Sequence, residues 1–393
     1  MTDSRQLSLP FGDSNSSSQQ YYFGREIGTF KDSQRAPIYG WFRYPAGYSY
    51  KFVRESLDLF NVSGSDWVYD PFSGTGTTLI CAKQHGINSY GVEAHSFVHW
   101  VAAVKLYWEF DYERLRQEII DFLQRAKEAV EQTRGDVDIQ DVFPELVYKC
   151  YHPLDLKVLY LLRKLVASVD DQHLSNLLKL GLTDTLRGAA AAGTGWPYIS
   201  PRKNNGEKPA KDAFAVFSNT VWQMYKDLLS VAELAHECET YNVLGDSRLQ
   251  QPLPDAHFQL ALTSPPYLNN YDYADRTRLE TYFWGIADSW GDITEKFRDR
   301  LMVAATTQVT RRDYEIESAL NEEIQDLAPE VYLTVQKAVL ELAKVRLQKG
   351  GKKDYDLMTA LYFNGIFQTL KETYRLLKHD AHFCLVLGDS APY

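Results

Sequence analysis

Short apolar runs alternate with helical patterns near the start of the chain. Residues 67–70 and 89–92 are apolar runs bounded by turn residues, which is typical of buried strands. Residues 51–60, 79–85 and 96–108 carry apolar positions at helical spacing. Strands that alternate with helices predict an α/β fold, with a mostly parallel sheet that has helices on both faces.

The strand pattern then stops and returns far along the chain. Between the two parts, only helical patterns occur, at 112–132, 154–169, 174–187 and 213–238. Strands are predicted again at 241–244, 258–262 and 382–387, and helices at 279–286, 314–347 and 355–377. We therefore expect one α/β domain from residues 21–109 and 239–393, with a helical insertion subdomain at 110–238.

Composition limits the class of protein. The 393 residues are 45% hydrophobic and 24% charged, which fits one large domain with an insertion or two domains. Residues 1–20 are rich in Ser and Gln and predict a flexible tail. No apolar run is long enough for a membrane span, and the four scattered cysteines indicate reduced thiols in a cytoplasmic protein without a metal site.

A glycine-rich turn follows the first strand, with the sequence DPFSGTGTT at residues 70–78. Glycines let the backbone approach a ligand, and the following helix N-terminus favours negative charge. No Gly-Lys-Ser/Thr follows, so the turn is not a phosphate loop. Glu93 ends the second strand, where a carboxylate can accept both hydroxyls of a ribose.

A second motif, TSPPY at residues 263–267, follows the buried strand 258–262. Two prolines end the strand and fix the backbone beyond it. The turn presents the Ser264 hydroxyl, the Pro265 carbonyl and the Tyr267 ring, a set that suits a flat base carrying an amino group. Ligands bind at such turns at the carboxyl edge of an α/β sheet.

Together these motifs resemble those of amino-group DNA methyltransferases. The Ser-Pro-Pro-Tyr form is most often associated with cytosine N4, whereas adenine N6 enzymes usually place Asp or Asn where Ser264 stands. The resemblance covers about residues 37–107, 240–290 and 356–390, and it implies a Rossmann-like class I methyltransferase sheet. That sheet normally has seven strands, and two of them are not found here.

The resemblance also implies S-adenosylmethionine as cofactor and assigns roles to individual residues. The catalytic residues would be Ser264, Pro265, Pro266 and Tyr267. The cofactor-binding residues would be Tyr44, Pro45, Asp70, Pro71, Phe72, Ser73, Gly74, Gly76, Thr77, Glu93, Asp246 and Thr263. Ser264 and the Pro265 carbonyl would accept the two amine hydrogens while Tyr267 stacks on the base. Carbon-5 methylation would need a cysteine nucleophile, and no Pro-Cys pair occurs in the chain.

The expected activity is therefore methyl transfer to N4 of a flipped cytosine in DNA, by a modification or defence-system enzyme acting at the nucleoid. The alternatives are an N6-adenine or RNA methyltransferase and a non-catalytic DNA-binding subunit of a larger complex. The insertion is the candidate target-recognition part. The candidate DNA-contacting residues are Trp196, Arg202, Lys203, Tyr271, Arg276 and Arg278.

Net charge is difficult to reconcile with DNA binding. The chain carries a formal charge of −10, while affinity for duplex DNA comes mainly from phosphate neutralisation. Arg298, Arg300, Arg311, Arg312 and a Lys/Arg cluster at 344–353 are the main candidate basic surface. A second protein subunit that completes the sheet and adds basic surface is the predicted partner besides DNA, and an N-terminal segment covering the sheet edge is the alternative.

Overall fold

The computed structural model describes residues 32–44, 47–133, 135–193, 210–234, 237–269, 271–311, 314–350 and 353–387. Some of the predictions above fall on other residues. These are the tail at 1–20, Pro45, Trp196, Arg202, Lys203 and Arg312.

Five parallel strands form the sheet within the described chain. They are β1 (Trp67–Asp70), β2 (Asn88–Glu93), β3 (Thr240–Leu244), β4 (Phe258–Thr263) and β5 (Leu377–Leu385). Their spatial order is β3-β2-β1-β4-β5, and each neighbouring pair is parallel. The order runs in opposite directions on the two sides of β1, so β1 and β4 flank a switch point, where α/β sheets bind ligands. This confirms the predicted α/β class.

Side chains of the strands alternate between two apolar layers. Val68 of β1 is buried in the larger core, together with Leu79 and Ile80 from the helix that follows. Its neighbour Tyr69 points to the other face and packs with Tyr90 and Phe258. Both faces of the sheet are therefore covered in the region of β1.

The first helices match the predicted pattern within a few residues. They are α1 (Tyr50–Leu59), α2 (Thr77–Gln84) and α3 (Ser96–Leu106). Phe52, Val53 and Leu57 of α1 are buried, as their helical spacing predicts. The turn before α2 and the end of β2 are thereby held at one edge of the sheet.

In the described chain only helices lie between β2 and β3, and five of them follow α3. They are α4 (Tyr112–Thr133), α5 (Glu145–Cys150), α6 (Pro153–Ala167), α7 (Gln172–Gly188) and α8 (Ala213–Ala232). Four of the five were predicted, and the short α5 was not. Their buried residues belong to the same hydrophobic cluster as those of α2 and α3, so the inserted helices share a core with one face of the sheet.

The region after β4 departs further from the predicted elements. Its helices are α9 (Arg278–Phe283), α10 (Trp290–Lys296), α11 (Glu323–Leu327), α12 (Pro329–Gln348) and α13 (Tyr355–Leu376). The helical structure predicted over 314–347 is divided between α11 and α12 and begins only at Glu323. Pro329 lies in the first turn of α12, the position where a helix tolerates proline, and the segment before it is broken into shorter pieces.

Six short 3₁₀ segments occur in the described chain. They are Ser33–Arg35, Tyr39–Trp41, Asp275–Thr277, Arg298–Arg300, Thr306–Gln308 and Ile316–Ser318. None of the described helices is long and apolar enough to cross a membrane.

Strand β5, which includes most of the strand predicted at 382–387, lies beside β4. Regular pairing runs from His382, opposite Leu260, to Leu385, opposite Thr263, after an irregularity in the register. Asp380 has a positive φ of 63° in the residues that lead from α13 into this pairing. The Val386 N–H donates to the Thr263 carbonyl at 2.9 Å, which carries the ladder up to the TSPPY motif.

Candidate active site

A cleft of about 800 Å³, including its part open to solvent, lies at the carboxyl ends of the strands. The residues that line it come from both sequence motifs and from five further stretches of the chain. They are Tyr44, Gly47, Tyr48, Pro71, Phe72, Ser73, Gly74, Thr75, Thr77, Glu93, Ala94, Gly245, Asp246, Ser247, Ser264, Pro266, Tyr273, Arg300, Leu301 and Met302. The cleft therefore joins the glycine-rich turn to the TSPPY motif.

The turn at residues 71–77 requires glycine at two positions. Gly74 and Gly76 have φ values of 54° and 86°, in the left-handed region that other residues adopt only with strain. Gly76 caps α2 directly. Gly91 of β2 lies directly against the turn. A Cβ at this position would lie 2.7 Å from the Ser73 Cβ, so this close approach requires glycine.

Glu93 connects the turn to the end of β2. One carboxylate oxygen accepts the Gly74 N–H at 2.9 Å, and the other accepts the His95 N–H at 2.7 Å. Burial raises the pKa of Glu93 to about 7, although both of these backbone hydrogen bonds lower it. Each oxygen keeps a further lone pair, so the carboxylate can accept hydroxyls from a ligand in the cleft.

Asp70 lies beneath the cleft and has no exposed surface. One oxygen accepts the Thr263 hydroxyl at 2.7 Å and the Phe72 N–H at 3.1 Å. The other accepts the Thr78 hydroxyl at 2.5 Å and the Tyr48 hydroxyl at 3.2 Å. Burial raises the pKa of Asp70, and these four hydrogen bonds oppose that rise.

Three of the described residues expected to contact the cofactor do not line the cleft. Gly76 caps α2, and Asp70 and Thr263 are joined by a hydrogen bond below the cleft. These last two residues link the glycine-rich turn, the catalytic motif and Tyr48, which sequence reasoning missed because it lies in an irregular aromatic stretch.

The TSPPY motif presents Ser264 and Pro266 to the cleft, while Pro265 is buried between them. The Ser264 Oγ lies 2.9 Å from the Tyr267 hydroxyl, which donates to the Val386 carbonyl at 3.0 Å. The Tyr362 hydroxyl donates to the Pro266 carbonyl at 3.0 Å. The motif is thus anchored from β5 and from α13.

Asp246 lines the cleft at the end of β3, as the sequence suggested. Its two oxygens accept a fork from the Arg248 guanidinium, with Nε at 2.8 Å from one and Nη2 at 2.7 Å from the other. Tyr44 lines the same cleft, and burial holds the pKa of its hydroxyl well above its usual range. Both residues reach the space between the motifs.

One wall of the cleft was not predicted. Arg300, Leu301 and Met302 follow α10, at the end of the 3₁₀ segment Arg298–Arg300, and Arg300 was expected on the basic surface and not in the cleft. A buried ion pair from Arg298 to Asp272, at 2.8 Å, holds this segment against the loop that follows the TSPPY motif. No motif or spacing signal could have identified this wall.

The arginines expected to contact DNA are engaged within the protein. Arg276 is 5% exposed, with its guanidinium carbon 4.1 Å from the centre of the Tyr271 ring. Arg278 pairs with Asp275 at 3.0 Å. In this conformation a phosphate cannot reach Arg276, because the side chain is enclosed.

Four residues of the wider basic surface are likewise paired within the protein. Arg298 pairs with Asp272, and Arg311 and Arg346 both pair with the buried Asp356. Lys344 pairs with Glu341. Within the described chain, no group of three or more His, Cys, Asp or Glu residues could hold a metal ion.

The sequence of the chain is similar to those of known DNA methylases. A family model described as DNA methylase matches residues 16–104, which include the glycine-rich turn and Glu93. Type II methyltransferase M.BsoBI of Geobacillus stearothermophilus is 25% identical over 67% of this chain, which spans 56% of that protein's length. Type II methyltransferase M.AvaI of Nostoc sp. is 21% identical over 94% of this chain and 77% of its own length.

A further relative matches a shorter part of the chain at higher identity. Type II methyltransferase M.MjaII of Methanocaldococcus jannaschii is 32% identical over 28% of this chain and 22% of its own length. The family model, these relatives and the five-stranded parallel sheet with its two motifs agree with one another. Together they support a likeness to the amino-methyltransferase family of DNA methylases.

Proposed function

We propose that the chain transfers a methyl group from S-adenosylmethionine to the exocyclic N4 amine of cytosine in DNA. The observation that carries this proposal is the single cleft that joins the glycine-rich turn and Glu93 to Ser264 of the TSPPY motif. The names of these relatives, all Type II methyltransferases, support a role in DNA modification.

The cleft fits such a cofactor. Glu93 offers two oxygens to hydroxyl donors, and the buried Ser73 hydroxyl, on the cleft wall, has no partner among the described residues. The binding surface would be completed by Asp246 at the end of β3, by Tyr44, and by the turn residues Pro71, Phe72, Gly74 and Thr77. When bound, the cofactor supplies a sulfonium methyl group that is already strongly electrophilic.

The protein's contribution is then to hold and orient the amine. Its lone pair is delocalised into the base, and acceptors for its two hydrogens, the Ser264 Oγ and the Pro265 carbonyl, would turn that lone pair out of the ring. Serine is not a base at neutral pH, so loss of the proton follows transfer. Orientation of this kind can reach effective molarities of about 10⁵ M or more.

The target base has to leave the duplex to enter the cleft, at a cost of roughly a few kcal/mol. We assign the choice of target sequence to the inserted helices α4–α8 and to the segment between α7 and α8. We place the protein in the cytoplasm, with the chromosome. Ser264 favours cytosine, because its hydroxyl replaces the Asp or Asn of the adenine-modifying forms.

Nucleoside analysis tests the activity and the base together. Duplex DNA from a host that lacks the enzyme is incubated with the chain and S-adenosylmethionine, digested, and analysed by mass spectrometry. We expect N4-methylcytosine, which forms only at a low residual rate with Ser264→Ala while calorimetry shows that this variant still binds the cofactor. N6-methyladenine as the sole product would change the base assignment, and an unmodified digest would refute the proposal.

A further inference from the structure

Three oxygen atoms form a short hydrogen-bonded row beside the site proposed for the target base. Ser264 Oγ and the Tyr267 hydroxyl lie 2.9 Å apart, and the Tyr267 hydroxyl lies 3.0 Å from the Val386 carbonyl. Ser264 Oγ is also 3.4 Å from that carbonyl. Ser264 and Tyr267 belong to the TSPPY motif, while Val386 follows the last strand, more than a hundred residues later.

The distances decide where the hydrogens lie. A carbonyl only accepts, so it must take its hydrogen from Tyr267 at 3.0 Å or from Ser264 at 3.4 Å. Good O–H···O bonds fall at about 2.5–3.0 Å, so Tyr267 is the donor. The Tyr267 oxygen then accepts the hydrogen of Ser264 at 2.9 Å, which leaves both lone pairs of Ser264 free.

We propose that the Tyr267 hydroxyl is a positioning group that fixes Ser264 as a pure hydrogen-bond acceptor facing the target amine. The proposal rests on the proposed function and adds a second role to Tyr267, besides any stacking by its ring. A serine hydroxyl otherwise rotates freely between donor and acceptor orientations. Held this way, Ser264 can accept a hydrogen bond from an amine. It disfavours a carbonyl oxygen, which has no hydrogen to donate.

This row of oxygen atoms orients the Ser264 hydroxyl and does not carry a proton away from the amine. It ends at a backbone carbonyl, which has no group that could take up the proton released by the methylated amine. Burial raises the pKa of the Tyr267 hydroxyl, so this donor keeps its hydrogen at neutral pH. The terminal carbonyl is itself fixed, because the N–H of Val386 donates to Thr263 at 2.9 Å.

Tyr267→Phe separates the hydroxyl from the ring. We expect kcat for DNA methylation to fall about tenfold to a hundredfold, while KM for DNA and the affinity for S-adenosylmethionine stay within about twofold. Tyr151→Phe is the matched control, because it removes a buried tyrosine hydroxyl that donates to the Leu186 carbonyl at 2.9 Å, outside the cleft. That variant should lose stability and keep kcat.

A double-mutant cycle distinguishes action through Ser264 from a general structural effect. The double variant Ser264→Ala with Tyr267→Phe should be no slower than Ser264→Ala alone, within about twofold. Multiplicative losses, or an unchanged kcat in Tyr267→Phe, would overturn the proposal.

A measurement without turnover keeps the two proposals separate. With 3-fluorotyrosine placed at position 267, Ser264→Ala should shift the fluorine NMR resonance, because the tyrosine oxygen loses the hydrogen that it accepts. An unmoved resonance would overturn the positioning role. A wild-type chain that methylates no DNA would refute the proposed function, and the fluorine spectrum would still decide on the hydroxyl contact.

Discussion

At the scale of single residues, Glu93 carries two opposing pH effects. Its pKa in the folded chain is about 7, against an ordinary value of 4.5, because burial disfavours the carboxylate. Between pH 4.5 and about pH 7, the Glu93 carboxylate therefore binds a proton more tightly in the folded state than in the unfolded state. The stability that this residue contributes therefore falls as pH rises from about 4.5 to about 7, and is constant above that range.

Cofactor affinity should change in the opposite direction. The carboxylate is the better acceptor for ribose hydroxyls, so S-adenosylmethionine should bind about tenfold more weakly at pH 6 than at pH 8. His95 does not titrate in this window, because burial lowers its pKa to about 3. Calorimetry at the two pH values measures the change, and Glu93→Gln, the matched control, should bind weakly at both. An equal pH dependence in both proteins would contradict the role of Glu93.

Thr263 should matter through Asp70 and not through direct contact with a ligand. Thr263→Val removes the hydroxyl that bonds to Asp70 at 2.7 Å in a site that water cannot enter. We expect a loss of about 1–3 kcal/mol in the free energy of unfolding, measured in urea. Thr263→Ser restores the hydroxyl and should recover most of the loss, whereas equal losses in both variants would indicate that the methyl group matters instead.

The motifs made much of the cleft predictable, because each one fixes several neighbouring residues at the end of a strand. Ser73, Gly74, Glu93, Asp246 and Ser264 all line it. What could not be predicted depends on pairing across long separations. A sequence pattern cannot show that Arg276 is enclosed beside Tyr271, nor that the 300–302 segment returns to the cleft.

At the scale of elements, the strands were easier to predict than the late helices. The buried strands β1, β2 and β4 read as apolar runs ended by turn residues, and their positions agree within one or two residues. The region 290–330 is built from short helices and 3₁₀ turns held by ion pairs and capping, such as the capping box of Ser289 and Asp292. Periodicity is too weak a signal over such short pieces.

One buried ion pair joins the inserted helices to the helix after the catalytic motif. Arg187 of α7 donates to Glu280 of α9 at 2.6 Å, and the Glu280 side chain has no exposed surface. Arg187→Leu would leave that carboxylate buried without this partner, and we expect a loss of about 3–5 kcal/mol in unfolding free energy.

Removing both charges gives the control for this pair. Arg187→Leu with Glu280→Leu should be more stable than Arg187→Leu alone, because no buried charge then lacks its counter-ion. Urea unfolding of the three proteins measures the difference. A double variant less stable than the single one would show that packing, and not charge, dominates this contact.

At the scale of the whole molecule, paired arginines should contribute little to DNA affinity. Arg311 and Arg346 both contact Asp356, which is fully buried. Arg346→Ala should therefore destabilise the fold and leave the salt dependence of DNA binding unchanged. A phosphate contact would instead reduce the slope of log K against log salt by about 0.9. Fluorescence anisotropy across salt concentrations, with Lys349→Ala as an exposed control, distinguishes the two.

The outer side of β5 is the feature that bears on assembly. Among the described residues β5 pairs only with β4, and Leu385 and Leu387 are 40% and 66% exposed. The described part of the segment before Trp41 lies elsewhere, since Ile38 and Trp41 both donate to Asp227 of α8. An exposed apolar edge strand favours pairing with another chain. With a net charge of −10, a second subunit would also supply DNA affinity.

We therefore expect the isolated chain to associate through β5 and to bind DNA weakly. Light scattering should give a mass that rises with concentration. Leu385→Lys with Leu387→Lys should abolish the rise, because lysines on an edge strand oppose pairing. Leu249→Lys, at a 63% exposed position outside the strand, is the control and should change nothing. A monomer at every concentration, with tight, salt-sensitive DNA binding and full turnover, would show that the chain needs no second subunit.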